Sequence, residues 1–176
     1  MRPAFAYKQP DFYEIKPENN AYLHNNMGLR YMDEKIYYAA IQEFKIAISL
    51  NPNTQATALY YNNLGEAYMA IGYPDYAKDC FERAIKQYNL NFKFYQNLVQ
   101  SFKGMKILKT KLKQYSTQNS KNPLDRVILG LLYIENGELK KGIVTLDEFT
   151  LSEPDLLITP AIKKYLVKVV DQLYDF

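Results

Sequence analysis

Residues 61–84 read YNNLGEAYMAIGYPDYAKDCFERA, and in them Tyr61, Leu64-Gly65, Tyr68, Ala77, Phe81 and Ala84 keep an order that recurs elsewhere in the chain. Upstream the order reads His24, Met27-Gly28, Tyr31, Ala40, Phe44, Ala47 and Pro52. Gly28 to Ala40 and Gly65 to Ala77 are both steps of 12, and Ala-Phe-Ala follows each time at steps of four and three. Near the end the pattern reads Leu129-Gly130, Tyr133, Gly142, Phe149 and Pro154. Leu64 to Leu98 and Phe81 to Tyr115 are both 34 residues, so Leu98, Phe102 and Pro123 mark a degenerate unit in between.

Each recurring position has a physical role. A glycine inside a helix costs about 1 kcal/mol relative to alanine, so Gly28, Gly65 and Gly130 predict close approach of a partner helix. Ala40, Ala47, Ala77 and Ala84 predict the same from the other side. Tyr31, Tyr68, Phe102 and Tyr133, with Phe44, Phe81 and Tyr115, are expected to fill the space between helices. Pro52, Pro123 and Pro154 fall where second helices should stop, because proline turns the preceding residue away from helical dihedrals. Gly72 and Gly137 are expected in the turns within units.

This arrangement resembles the tetratricopeptide repeat, a helix-turn-helix unit of about 34 residues. The resemblance implies an all-α fold, an α-α superhelix of about four units, and a role in holding other proteins rather than in chemistry. The units are expected near 21–54, 58–91, 92–122 and 123–156. Their helices are expected at 21–33 and 37–50, 58–71 and 75–87, 92–105 and 108–118, and 124–135 and 139–150, with residues 55–57 inserted as loop. The third pair is the least regular, having Lys111 where the small residue belongs. Residues 157–176 are expected to supply a capping helix, since Ile162, Tyr165, Leu166, Val169, Val170 and Leu173 recur at helical spacing after Thr159-Pro160. Pro3, Pro10 and Pro17 make residues 1–20 an extended aromatic arm.

A chain of 176 residues is one domain's worth, and stacked short helices of that length can bury a continuous core. The 17 tyrosines and nine phenylalanines fall largely on the repeat positions, so packing accounts for them first. The sequence lacks the long apolar run a membrane span needs, and its start lacks the basic-apolar pattern of a signal peptide. The expected compartment is the cytoplasm, or a secreted or periplasmic location if the chain is a trimmed mature domain. Cys80, the single cysteine, cannot form an internal disulfide and is expected as a small buried side chain.

Asn26, Asn63 and Asn97 hold one repeat position, preceded by Asn25, Asn62 and Gln96. First helices line the concave face of tetratricopeptide superhelices, so the resemblance implies an asparagine ladder there. An amide side chain offers a donor and an acceptor, matching an extended peptide backbone. The ladder is similar to that in the repeat domain of the O-linked N-acetylglucosamine transferase family. The alternative is that these asparagines bond between helices. Leu29, Met32, Glu66, Met69, Gln100 and Lys103 are expected to face the same groove and choose the bound sequence. The carboxylate clamp of chaperone-tail-binding repeats is matched by Asn63 and Lys93, but Asn25, Leu29 and Asn97 depart from it.

Between Arg83 and Leu124 there is no acid, whereas Arg83, Lys86, Lys93, Lys103, Lys106, Lys109, Lys111, Lys113 and Lys121 are basic. The acidic flanks bring the chain to +3. This block is a candidate for an acidic peptide, RNA or another polyanion, or for a solvated lysine-rich surface. The scarcity of arginine makes a nucleic acid the less favoured partner. The third reading is self-assembly through the arm. His24 stands alone, and no zinc-ligand cluster, phosphate loop or nucleophile motif is present, so no enzyme activity, cofactor or metal is expected. The expectation is a scaffold that grips an extended segment of a protein or peptide.

Overall fold

Four hairpins of helices follow one another along residues 16–174, the part of the chain that the computed structural model describes. They are α1 (Pro17–Asp33) with α2 (Tyr37–Leu50), α3 (Gln55–Ala70) with α4 (Pro74–Gln87), α5 (Phe92–Gly104) with α6 (Leu108–Thr117), and α7 (Asp125–Glu135) with α8 (Leu139–Ser152). A last helix, α9 (Thr159–Tyr174), closes the array. Among the described residues there is no strand. The fold is all-α, a helical-repeat superhelix.

Two boundaries differ from the sequence expectation. Residues 17–20, assigned above to the arm, are the first turn of α1: Pro17 sits at the helix start, where a missing N–H costs nothing, and Glu18 complements the positive helix end. Residues 1–15 of the arm lie outside the described residues. Residues 55–57, expected as an inserted loop, are the first turn of α3. Thr57 is fully buried there, its hydroxyl accepting from the Thr54 N–H at 3.0 Å and donating to the Asn51 carbonyl. The insertion therefore lengthens the helix and pins it to the end of α2.

The turns within units share one geometry. Gly72 and Gly137 have φ of 82° and 86°, and Lys35 and Lys106 take the same left-handed position at 60° and 59°. In the second unit the Tyr73 N–H reaches the Tyr68 carbonyl at 2.9 Å and the Gly72 N–H reaches Met69 at 3.1 Å. Ile36 to Tyr31, Ile107 to Phe102 and Glu138 to Tyr133 repeat the first of these bonds. This is the Schellman closure, which satisfies carbonyls that the helix end leaves open.

Packing follows the small residues. A Cβ on Gly28 would stand 2.4 Å from the Phe44 ring and one on Gly65 would stand 2.5 Å from Phe81, so each glycine is the seat of a phenylalanine. In the fourth unit Gly130 faces Leu146 in the same way. Leu146, four residues after Gly142, is therefore the counterpart of Phe44 and Phe81. Phe149 of the expected pattern instead occupies the place of Ala47 and Ala84 and is fully buried. The third unit has Val99 and Lys111 where the others have glycine and a small residue. In this unit α6 packs more on α7 than on α5, and none of its residues is buried.

Apolar side chains of α4, α5, α7, α8 and α9 share one large core, with Phe81, Tyr95, Phe102, Leu132, Phe149 and Ile162 deeply buried. A smaller core under Ile41, Phe44 and Leu64 serves the first two units. The Thr159 hydroxyl donates to the Glu153 carbonyl at 2.6 Å, tying the start of α9 to the end of α8.

Candidate functional site

The first helices α1, α3, α5 and α7 are joined in sequence by side-chain bonds. Asn63 Nδ2 donates to Asn25 Oδ1 at 2.8 Å, and Asn97 Nδ2 donates to Asn62 Oδ1 at 2.8 Å and to Glu66 Oε1 at 2.9 Å. The register is offset: the first asparagine of one unit accepts from the second asparagine of the next. Asn25, Asn62 and Asn97 are buried, whereas Asn26 and Asn63 are half-buried. At the fourth unit Ile128 replaces the amide and is buried, and the tie between α5 and α7 passes to Glu135. Gln100 Nε2 reaches Glu135 Oε1 at 2.7 Å and Lys103 Nζ reaches Oε2 at 3.0 Å.

The residues expected to line one groove separate into two places. Leu29, Met32, Asn63 and Glu66 come together in a hollow of about 360 Å³, joined by Asp33, Tyr37, Phe44 and Ala70. Gln100 lines a much smaller hollow of about 100 Å³ with Gln96, Val99, Leu131, Glu135 and Tyr165. Met69 is half-buried against the large core, and Lys103 is engaged by Glu135. Asn26 is bonded to no other described residue.

Tyr165 lines the smaller hollow. It projects from α9 onto α5, its ring edge against Phe92 with centroids 5.3 Å apart. Burial, with Glu135 adding to it, raises its hydroxyl pKa above the ordinary tyrosine value. The capping helix thus reaches α5 and contributes to the hollow at Gln100, whereas the larger hollow lies over α1 and α3. The stripe of α9 was legible in the sequence, but its reach to Phe92 was not. Asp33, Tyr37, Glu135 and Tyr165 were all missed as lining residues. The signal for Asp33 and Tyr37 was their place flanking the first turn.

The basic block does not form one surface. Lys93 lies 3.7 Å from Glu66 and Lys103 lies 3.0 Å from Glu135, both on the inner helices. Lys111 lies over the Phe102 ring at 5.3 Å, its Nζ 3.2 Å from Gln114 Oε1. Lys106 occupies the strained turn, and Lys109 and Lys113 are exposed on α6. Another hollow, of about 520 Å³, lies beside residues 118–123 and the start of α7, away from Asn25, Asn62, Asn63 and Asn97.

His24 is held 2.5 Å from Glu43 Oε2, half-buried against α2. Burial pushes the Cys80 thiol up to about 12, which makes it an inert packing group. Among the described residues no group of three His, Cys, Asp or Glu side chains is placed to hold a metal ion, and no helix is long and apolar enough to cross a membrane.

Residues 58–91 match the family model described as the tetratricopeptide repeat. Solved structures similar to this chain include a tetratricopeptide repeat protein from Parabacteroides merdae at 16% identity and TM-score 0.54, covering 88% of this chain and 61% of that one. The MamA protein is 17% identical with TM-score 0.52, covering 87% and 89% of the two chains. YrrB, described as a TPR protein with an unusual peptide-binding site, is 17% identical with TM-score 0.51, covering 88% and 85%. At these identities the likeness shows the fold. No curated protein matches the sequence.

Proposed function

We propose that this chain, whose residues 58–91 match the tetratricopeptide repeat and whose fold is a helical-repeat superhelix, binds an extended segment of a partner protein without catalysing a reaction. The segment lies over α1 and α3, in the open part of the inner face. One observation carries this reading: the hollow that gathers Leu29, Met32, Asn63 and Glu66 from two successive first helices, floored by Phe44. Leu29 is 40% exposed, an apolar side chain presented beside an amide and a carboxylate. Such a mixture of apolar floor and few convergent polar groups is what a peptide site requires. The peptide-binding site named for YrrB supports the reading by analogy of fold alone.

The ladder contributes in a specific way. The Asn63 and Asn97 amides are spent on neighbouring helices, so they hold the inner face rigid. Asn26 and the remaining acceptor of Asn63 are the groups that face a bound backbone. Lys93 and Lys103 are matched by Glu66 and Glu135, which leaves a weaker case for RNA or another polyanion.

A random-peptide display library panned against the intact chain tests the proposal. The expected result is a family of extended peptides whose binding is lost in a Leu29→Glu/Met32→Glu variant with an unchanged melting temperature. Binders indifferent to that variant would overturn it.

A further inference from the structure

We propose that the hollow over α1 and α3 selects a lysine or arginine side chain of the bound segment. The inference rests on the peptide-binding reading above and names the chemistry of the bound residue.

Leu29 and Met32 give the hollow apolar lining, whereas Asp33 and Glu66 are its charged lining residues, with no cation lining it. Glu66 is oriented by Asn97 Nδ2 at 2.9 Å, which leaves its second oxygen available. The cation nearest Glu66 is Lys93 Nζ at 3.7 Å, on a side chain 60% exposed. A pair so open to water contributes little and exchanges readily. Asp33 is exposed and forms no ion pair with another described residue. Arg30, one turn earlier on α1, is exposed as well.

Three classes of occupant can be compared on these groups. An acidic side chain would meet two carboxylates and be repelled. A purely apolar one would cover the floor but strip water from Asp33 and Glu66 with no compensating bond. A lysine or arginine satisfies both demands, laying its methylenes along Leu29 and Met32 while its charge stays between the carboxylates. Tyr37, half-buried at the rim, adds aromatic surface of the kind that favours a cation. The preference is opposite to that of a basic clamp for a C-terminal carboxylate, which this chain lacks.

The test uses fluorescent peptide libraries with one fixed central residue (lysine, arginine, norleucine or glutamate), titrated against the intact chain. Lysine and arginine libraries should bind at least about tenfold more tightly than norleucine, with the advantage shrinking as salt rises. Asp33→Asn, at an exposed position, should remove most of that advantage by weakening lysine and arginine binding and relieving the desolvation that norleucine meets. Asp33→Lys should shift preference toward glutamate. Equal binding of norleucine and lysine, or a lysine preference untouched by Asp33→Asn, overturns the inference. If norleucine peptides bind as tightly as lysine peptides and Leu29→Glu/Met32→Glu abolishes the norleucine binding, the groove stands while the charge selection falls. Failure of every library to bind overturns both.

Discussion

A Cβ placed on Gly65 would lie 2.5 Å from Cε1 of Phe81, closer than real side chains approach. Helix propensity favours alanine at such a position by about 1 kcal/mol, yet the phenylalanine ring of α4 already occupies the space. Gly65→Ala should therefore destabilise the protein by about 1–3 kcal/mol, since the ring must leave its rotamer or α4 must move outward. Urea unfolding followed by circular dichroism measures this. A gain in stability would show that the two helices separate without cost.

The four turns provide an internal comparison. Lys106 holds the left-handed backbone that Gly72 adopts freely, and a residue with a Cβ pays about 1–2 kcal/mol there. Glycine's larger entropy in the unfolded chain offsets part of the gain. Lys106→Gly should stabilise by about 0.5–1 kcal/mol. Gly72→Ala should cost about 1 kcal/mol, although open space surrounds its Cβ position. Denaturant midpoints of the two variants should move in opposite directions.

Removing Asn97 strips both Asn62 and Glu66 of a donor. Asn97→Ala is expected to cost about 1–3 kcal/mol, because the buried Asn62 acceptor is left unpaired. Asn26→Ala, which breaks no bond to a described residue, should fall within about 0.5 kcal/mol of the parent. A double-mutant cycle on Asn62 and Asn97 should show coupling above about 0.5 kcal/mol. Independent effects would mean that the amide contact has no energetic weight.

Alkaline pH should weaken the fold. Burial raises the Cys80 thiol from its ordinary value of 9.0 to about 12 and pushes Tyr95, Tyr115 and Tyr165 upward from 10.0. Above pH 9 the unfolded chain releases protons that the folded chain keeps, so it binds fewer protons and stability falls as pH rises. Denaturant midpoints should decline between about pH 8 and about pH 10.5. At about pH 8 a thiol reagent should modify Cys80 only as fast as the protein opens. Rapid labelling of the folded chain would contradict its burial.

Local chemistry carried much of the architecture into the sequence. Gly28, Gly65 and Gly130 announced close helix contacts because a glycine inside a helix is otherwise unfavourable, and each lies under a bulky side chain. All four turns were legible from the expected helix bounds, but the left-handed backbone was legible only at Gly72 and Gly137, because lysine at 35 and 106 carries no preference for it. Residues 17–20 and 55–57 were misplaced because proline and threonine serve equally in loops and in first turns. Only a bonded neighbour, such as Asn51 for Thr57, distinguishes the two.

By itself the sequence determined that the chain forms paired helices, which faces of them are apolar and where small residues let two helices meet. These properties depend on spacing along one strand of backbone. Tertiary structure alone decided that the Asn63 and Asn97 amides brace neighbouring helices, that Tyr165 of α9 reaches Phe92, and that Asp33 joins Glu66 around one hollow. Each of these depends on the distance between side chains from different helices. That distance is set by how the helices pack on one another, and no spacing within a single helix encodes it.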